Sequence, residues 1–168
     1  AIAAGIALRP EDRKKEGIIP LRSVSVNAAM PSYRKLTHIG FIKTKQLSAQ
    51  VNELARTVNL RPHDIERAIR LFSGGNQQKA ILCRWLMAGS EILVFDEPTR
   101  GIDVGAKGEI YKLIDMLASA GRSIIVISSE LPEVLRLCDN VLVMRSGEMA
   151  GKLTRAEEDE RRRIARLL

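Results

Sequence analysis

Residues 92–99 read Ile92-Leu93-Val94-Phe95-Asp96-Glu97-Pro98-Thr99, and this octet decides the fold. Four consecutive apolar residues have the character of a strand buried on both faces, the habit of parallel sheets. Two adjacent carboxylates, Asp96 and Glu97, follow at the strand's carboxyl end, where open parallel sheets bind their ligands. Downstream, Asp103 is an N-cap for a helix with Ile110, Leu113, Ile114 and Leu117 on one face and Gly121 as its stop. Residues 124–127 are a second apolar run. A helix with Val134 and Leu135 leads to a third strand at 141–144, and the turn Ser146-Gly147 returns the chain through Glu148 to Leu153. Upstream, residues 5–9 form a short strand ended by Pro10. Strands separated by helices predict an α/β architecture, a mostly parallel sheet flanked by helices.

The remaining stretches are less regular. Glu11-Asp12-Arg13-Lys14-Lys15-Glu16-Gly17 reads as a highly charged loop, and 18–47 as loops with one short helix. From Ser48 the period becomes helical, with Val51, Leu54, Ala55 and Val58 at i, i+3, i+4 and i+7. Arg61-Pro62 breaks it, and a second short helix carries Ile65, Ala68 and Ile69, so 48–70 is a small helical insert. Thr154-x-x-Glu157 is a capping box for a last helix, 154–168, in which Glu157, Glu158 and Asp159 face Arg161, Arg162 and Arg163.

Composition narrows the partners. With 45% hydrophobic and 28% charged residues, wholesale disorder is excluded. The longest apolar runs span only a few residues, against the ~20 that cross a bilayer. Net charge is +7, and its placement is uneven: residues 1–50 hold nine Lys/Arg against three acids. A basic first third suits nucleic acid, an acidic lipid surface, a phosphate ligand or simply a solvated face. Aromatics are 4% of the chain, too few for a base-stacking platform. Cys83 and Cys138 lack metal-site spacing and read as buried, reduced thiols of a cytoplasmic protein.

Two segments carry chemistry. A carboxylate at the end of the central strand, Asp96, suits Mg²⁺, which takes one or two carboxylates plus waters and substrate phosphates. Its neighbour Glu97, directed to the other face, can orient and polarise an attacking water. Twenty residues upstream lies Phe72-Ser73-Gly74-Gly75-Asn76-Gln77-Gln78-Lys79. Its glycines let backbone approach a ligand closely, and a helix with Ile81, Leu82, Trp85 and Leu86 on one face then starts and stops at Gly89. The amides at that N-terminus, with the Ser73 hydroxyl, form an anion site suited to a terminal phosphate.

In this order and spacing the two segments resemble the ATP-binding cassette (ABC) ATPases, a P-loop NTPase-like fold with a small helical subdomain. The resemblance covers nearly the whole chain. It implies that Phe72 to Gln77 is the signature, with Ser73, Gly74, Gly75, Asn76 and Gln77 binding nucleotide. Asp96 becomes the Walker B aspartate, holding Mg²⁺ through water, and Glu97 the catalytic glutamate. Arg100-Gly101-Ile102-Asp103 becomes the D-loop, with Asp103 at the nucleotide. By the same token 1–168 is a partial nucleotide-binding domain: 48–88 holds the end of the helical subdomain and the signature helix, 89–153 the Walker B, D-loop and switch core, and 154–168 a C-terminal helix. The stretches 11–17, 74–79, 99–107 and 128–134 are similar to the second cassette of the tandem ATP-binding subunits of bacterial monosaccharide importers of the ribose, galactose and xylose type.

Departures from the family pattern shape the expected mechanism. No G-x-x-x-x-G-K-[ST] loop occurs in the sequence; Gly101-x-x-x-Gly105-Ala106-Lys107 is one residue short and follows the Asp-Glu pair. The resemblance therefore implies an N-terminally truncated domain, its phosphate loop upstream of Ala1, with weak ATP binding and no activity alone. The glutamine of the family's Q-loop is Glu11, and its switch histidine is Ser129. A serine lacks an imidazole's reach and charge, and a glutamate near triphosphate adds repulsion. The expectation is that this half's own site is weak or non-hydrolytic while its signature completes the partner cassette's site. Implied cofactors are ATP and Mg²⁺. Implied partners are the other cassette of the same tandem chain, membrane permease subunits docking near 11–17 and, indirectly, a periplasmic sugar-binding protein, with no nucleic acid. The implied location is cytoplasmic, peripheral on the inner face of the membrane. The alternative is a soluble ABC-type ATPase acting on ribosome or DNA.

Overall fold

The computed structural model describes residues 1–38 and 41–154, in two compact units, Ala1–Ile127 and Ser128–Leu168. In chain order the first unit runs β1 (Ile6–Arg9), α1 (Val24–Ala29), α2 (Tyr33–Leu36), β2 (Thr37–His38), β3 (Phe41–Ile42), α3 (Thr44–Thr57), α4 (Gly74–Ala88), β4 (Ile92–Asp96), α5 (Val104–Ser119) and β5 (Ser123–Ile127). β1, β4 and β5 form a parallel sheet with β4 in the middle, Ile6 opposite Ile92 and Ile92 opposite Ser123. The α/β architecture stands as read.

Ala7, Leu93 and Phe95 from the sheet, Leu82 and Trp85 from α4, and Ile110 from α5 surround one small cavity. Arg9 and Gln78 also line it, and the Trp85 indole Nε1 is buried there with no hydrogen-bond partner among the described residues. Full burial of the strands on both faces is not observed. Leu93 and Phe95 are buried, but Leu8, Ile125 and Ile127 on β1 and β5 are half exposed. An unbroken apolar run shows that a strand can be covered twice; it does not show that a second layer of described residues is there.

α1 and α3 pack on α4 and build the helical part, with Val24, Ala28, Val51, Ala55 and Ile69 excluded from solvent. Three readings of this part are corrected. α3 begins at Thr44 and not Ser48, because Leu47 extends the buried stripe of Val51 and Ala55 by one turn. Residues 18–47 hold two short helices and a small antiparallel pair, β2 with β3. The second insert helix is absent, although Ile65 and Ile69 are buried as an amphipathic helix would have them. Its backbone bonds run across instead: Val24 and Ser25 amides donate to the carbonyls of Arg67 and Ile65, and the Ile69 amide to Arg22. Only a short 3₁₀ turn, Ile69–Leu71, remains. The charged loop is a single wide turn, Arg13–Gly17, opened by Asp12, whose Oδ1 accepts from the Lys14 and Lys15 amides.

The second unit contains α6 (Leu131–Leu137), β6 (Asn140–Arg145) and β7 (Glu148–Thr154). The expected third parallel strand, 141–144, instead pairs antiparallel with β7, Val141 opposite Leu153. A two-residue turn, Ser146-Gly147, with both φ positive, closes a hairpin, and a connection that short cannot make a parallel crossover. Leu131, Val134 and Leu135 pack on Val141, Val143 and Leu153. Thr154 ends β7, and the rest of the expected last helix lies outside the described residues.

Of the two thiols, Cys83 is buried within α4 and Cys138 half buried at the end of α6. Burial pushes the Cys83 thiol from its ordinary 9.0 up to about 12. Between those values the unfolded chain gives up a proton that the folded chain keeps, so this group makes stability fall as pH rises through that window. Cys83 is expected to stay unlabelled by a thiol reagent at pH 8 while Cys138 is modified first, as peptide mass spectrometry would show; equal labelling would contradict it.

Candidate nucleotide site

Ser73 is the N-cap of α4: its Oγ accepts from the Asn76 amide at 3.5 Å and from Asn76 Nδ2 at 3.0 Å. The fold thereby leaves the amides of Gly74 and Gly75 at the start of a 15-residue helix, where backbone N–H groups and the macrodipole favour an anion. At Gly74 a side chain would have to displace the Arg13 guanidinium. A Cβ there would come within 2.6 Å of Arg13 Nη2.

Asn76 and Gln77 hold this loop. Asn76 Oδ1 accepts from the Arg61 amide at 2.8 Å. Gln77 is buried: its Nε2 donates to the carbonyls of Phe72 and Ile69 and its Oε1 accepts from Arg13 Nε. The Gln77 side chain therefore supports the loop from behind.

Asp96 closes β4, opposite Ile127. Glu97 turns the chain with φ 48, and its amide donates to the Ile127 carbonyl at 2.8 Å. Both carboxylate residues are half buried. Among the described residues no cluster of three or more His, Cys, Asp or Glu forms a metal cage. The Asp96–Glu97 pair fits Mg²⁺ all the same, since that ion keeps most of its waters and takes its other ligands from phosphate. Asp103 caps α5, its Oδ1 accepting from the Ala106 amide at 2.9 Å.

Glu11 forms an ion pair with Arg100, and Arg13 reaches the same segment, donating to the carbonyls of Arg100 and Gly101 at 3.2 and 3.4 Å. The two residues join the charged turn to 100–103 and, through Gln77, to α4. Arg100 also offsets the Glu11 charge that was expected to repel triphosphate. Glu11, Ser73 to Gln77, Asp96, Glu97 and Asp103 all belong to the first unit. Ser129 belongs to the second, next to Ser128, whose Oγ accepts from the Glu130 amide.

Three polar residues of this region were not singled out from the sequence. Arg9, 4% exposed, donates from Nε to Gln78 Oε1 and from Nη1 to the Asp96 carbonyl. Lys79, equally buried, donates to the Asn59 carbonyl and to Glu109 Oε2 at 2.6 Å, tying α4 to α5. Arg84 donates to the Asn27 carbonyl and side chain, and burial lowers its guanidinium to about 10, still a cation at neutral pH. The one available signal was a cation inside or at the end of an otherwise apolar pattern, as with Arg9 after Ile6-Ala7-Leu8.

A helix start with two glycines and a carboxylate-tipped central strand stand on one α/β scaffold. The ABC transporter family model matches residues 7–100, and the chain belongs to that family. It is 47% identical over 165 residues to a putative ribose/galactose/methyl galactoside import ATP-binding protein of Agrobacterium fabrum, covering 98% of this chain and 33% of that protein. It is 48% identical over 162 residues to the arabinose import ATP-binding protein AraG of Rhizobium etli, covering 96% and 32%. The chain thus spans a third of the length of the curated relatives it matches. In fold it is similar to the dimeric ATP-binding cassette MJ0796 in a post-hydrolysis state bound to ADP and Pi, with a TM-score of 0.73 at 18% identity over 90% of this chain and 63% of that one. The cassette MJ1267 gives a TM-score of 0.76 at 19% identity over 99% and 69%.

Proposed function

We propose that these residues are part of the ATP-binding, energy-coupling subunit of a monosaccharide importer, in its second cassette. The observation that carries this reading is that the α4 anion loop and the Asp96–Glu97 strand end share one cross-braced unit. Ser73 with the Gly74 and Gly75 amides would meet the terminal phosphate of ATP held by the other cassette of the tandem chain. Asp96 would hold Mg²⁺ through water, and the bound ion would neutralise charge on the phosphates. Glu97 would accept hydrogen bonding from the attacking water, with Asp103 close to the shared interface. With Ser129 where the family places histidine, the trans contribution is the larger one. The exposed Lys14 and Lys15 would face permease subunits at the inner surface of the membrane, which a sugar-binding protein engages from the other side. No helix among the described residues is long and apolar enough to cross a membrane.

Two measurements test this. Glu97→Gln in the tandem protein is expected to lower ATP turnover in part, by about two- to tenfold, leaving the site completed by Ser73 working. The wild-type protein is expected to sediment with permease-containing membranes at 0.3 M salt. Salt-sensitive recovery with ribosomes or DNA in place of membranes would overturn the transport reading.

A further inference from the structure

We propose that Arg9 is a positioning residue: it fixes the Asp96–Glu97 peptide and keys that peptide to the signature helix α4. This rests on the reading above that Glu97 acts on the attacking water. Arg9 ends β1, and its guanidinium presents a rigid planar fork. One arm holds Gln78 Oε1, a turn into α4; the other holds the Asp96 carbonyl. The opposite side of the same peptide is held from β5, where the Ile127 carbonyl accepts the Glu97 amide. The peptide is therefore gripped from both neighbouring strands.

Glu97 needs that grip. Its φ of 48 puts a non-glycine residue in the left-handed region, a strained conformation that persists only where surroundings over-determine it. Around Arg9 lie Ala7, Leu82, Leu93 and Phe95, an environment that an aliphatic side chain would fill at lower cost, since a buried guanidinium must have its hydrogen bonds made. The Nε and Nη1 bonds run to the signature helix and to the end of β4. A shift of α4 when Ser73 to Gly75 meet phosphate thus reaches Glu97 through one side chain.

The test uses Arg9→Met and Arg9→Lys in the tandem protein. Arg9→Met is expected to lower kcat about threefold or more, with KM for ATP within about twofold. Arg9→Lys, which keeps one donor for the Asp96 carbonyl, recovers at least half of the loss. Amide exchange at Asp96, Glu97 and Thr99 rises about tenfold in Arg9→Met, while exchange within α3 stays unchanged. Wild-type kcat in Arg9→Met, no recovery by lysine, or exchange raised throughout the unit would overturn the proposal. If Arg9→Met does not fold, Gln78→Met carries the same expectations and the same refutation. Glu97→Gln run in parallel separates the two readings: undiminished turnover there defeats the role of Glu97, and the Arg9 tether is then decided by the exchange pattern.

Discussion

Arginine in place of Ser73 reduces ATP turnover of the tandem protein to about one per cent or less, the largest functional effect expected of any single change here. Three consequences act together. The cap is lost, because Ser73 Oγ no longer accepts from Asn76 and the first turn of α4 frays. A long cation then stands at the positive end of the helix dipole, next to Gly74, against which the Arg13 guanidinium already lies. Finally, the space a terminal phosphate would enter is filled. Ser73→Ala separates the parts: it removes the hydroxyl without the bulk and should cost about tenfold. Phosphate release under saturating ATP, with thermal melting as a check on folding, measures both. Near-normal turnover in Ser73→Arg, together with its abolition in Glu97→Gln, would mean that the cassette works on its own nucleotide and that the trans assignment is wrong.

The largest loss of stability is expected at Asn27, which is wholly buried in α1. Its Oδ1 accepts the Ile19 amide at 2.8 Å, and its Nδ2 lies within reach of the carbonyls of Ile19, Arg22 and Ser23 at 3.1, 3.3 and 3.0 Å. Arg84 donates to both its main chain and side chain. Alanine would strand several buried polar groups at once, one of them a guanidinium. The cost is about 3–5 kcal/mol by urea unfolding, set by the unmet partners more than by the lost volume. Asn27→Asp keeps the acceptor for Ile19 and gives Arg84 a charge partner, so it should lose less. A penalty below about 1 kcal/mol for alanine would show that residues 18–27 do not depend on this hub.

What the sequence made legible follows the range of the forces involved. Asp103 as a cap, Gly89 as the stop of α4 and the stripe Ile110, Leu113, Ile114, Leu117 are decided within one or two turns, and each stands in the structure as read. The Ser73 loop and the Asp96–Glu97 pair are local in the same way. Residues 59–68 were misread because i, i+4 burial of Ile65 and Ile69 is shared by a helix and by a segment bonded across to residues 22–25. The strand 141–144 is legible as a strand, but its partner is set by the two-residue turn Ser146-Gly147, which makes β6 and β7 an antiparallel pair whatever elements precede them. Arg9, Asn27 and Arg84 were invisible for another reason. The bonds of Arg9 and the Asn27–Arg84 pair span 57 to 87 residues, and nothing in the neighbouring sequence announces a contact at that distance. The Glu11–Arg100 ion pair is equally silent in the sequence around either residue.

Trp85 is the one tryptophan among these 168 residues. Its ring lies in the seam between α4 and the sheet, beside Arg9 and Gln78. The seam thus contains an intrinsic fluorophore, with its indole N–H shielded from water. Emission from the unlabelled chain is a direct optical readout of how closely the helix lies on the strands, and any opening of that seam is recorded as a shift to longer wavelength.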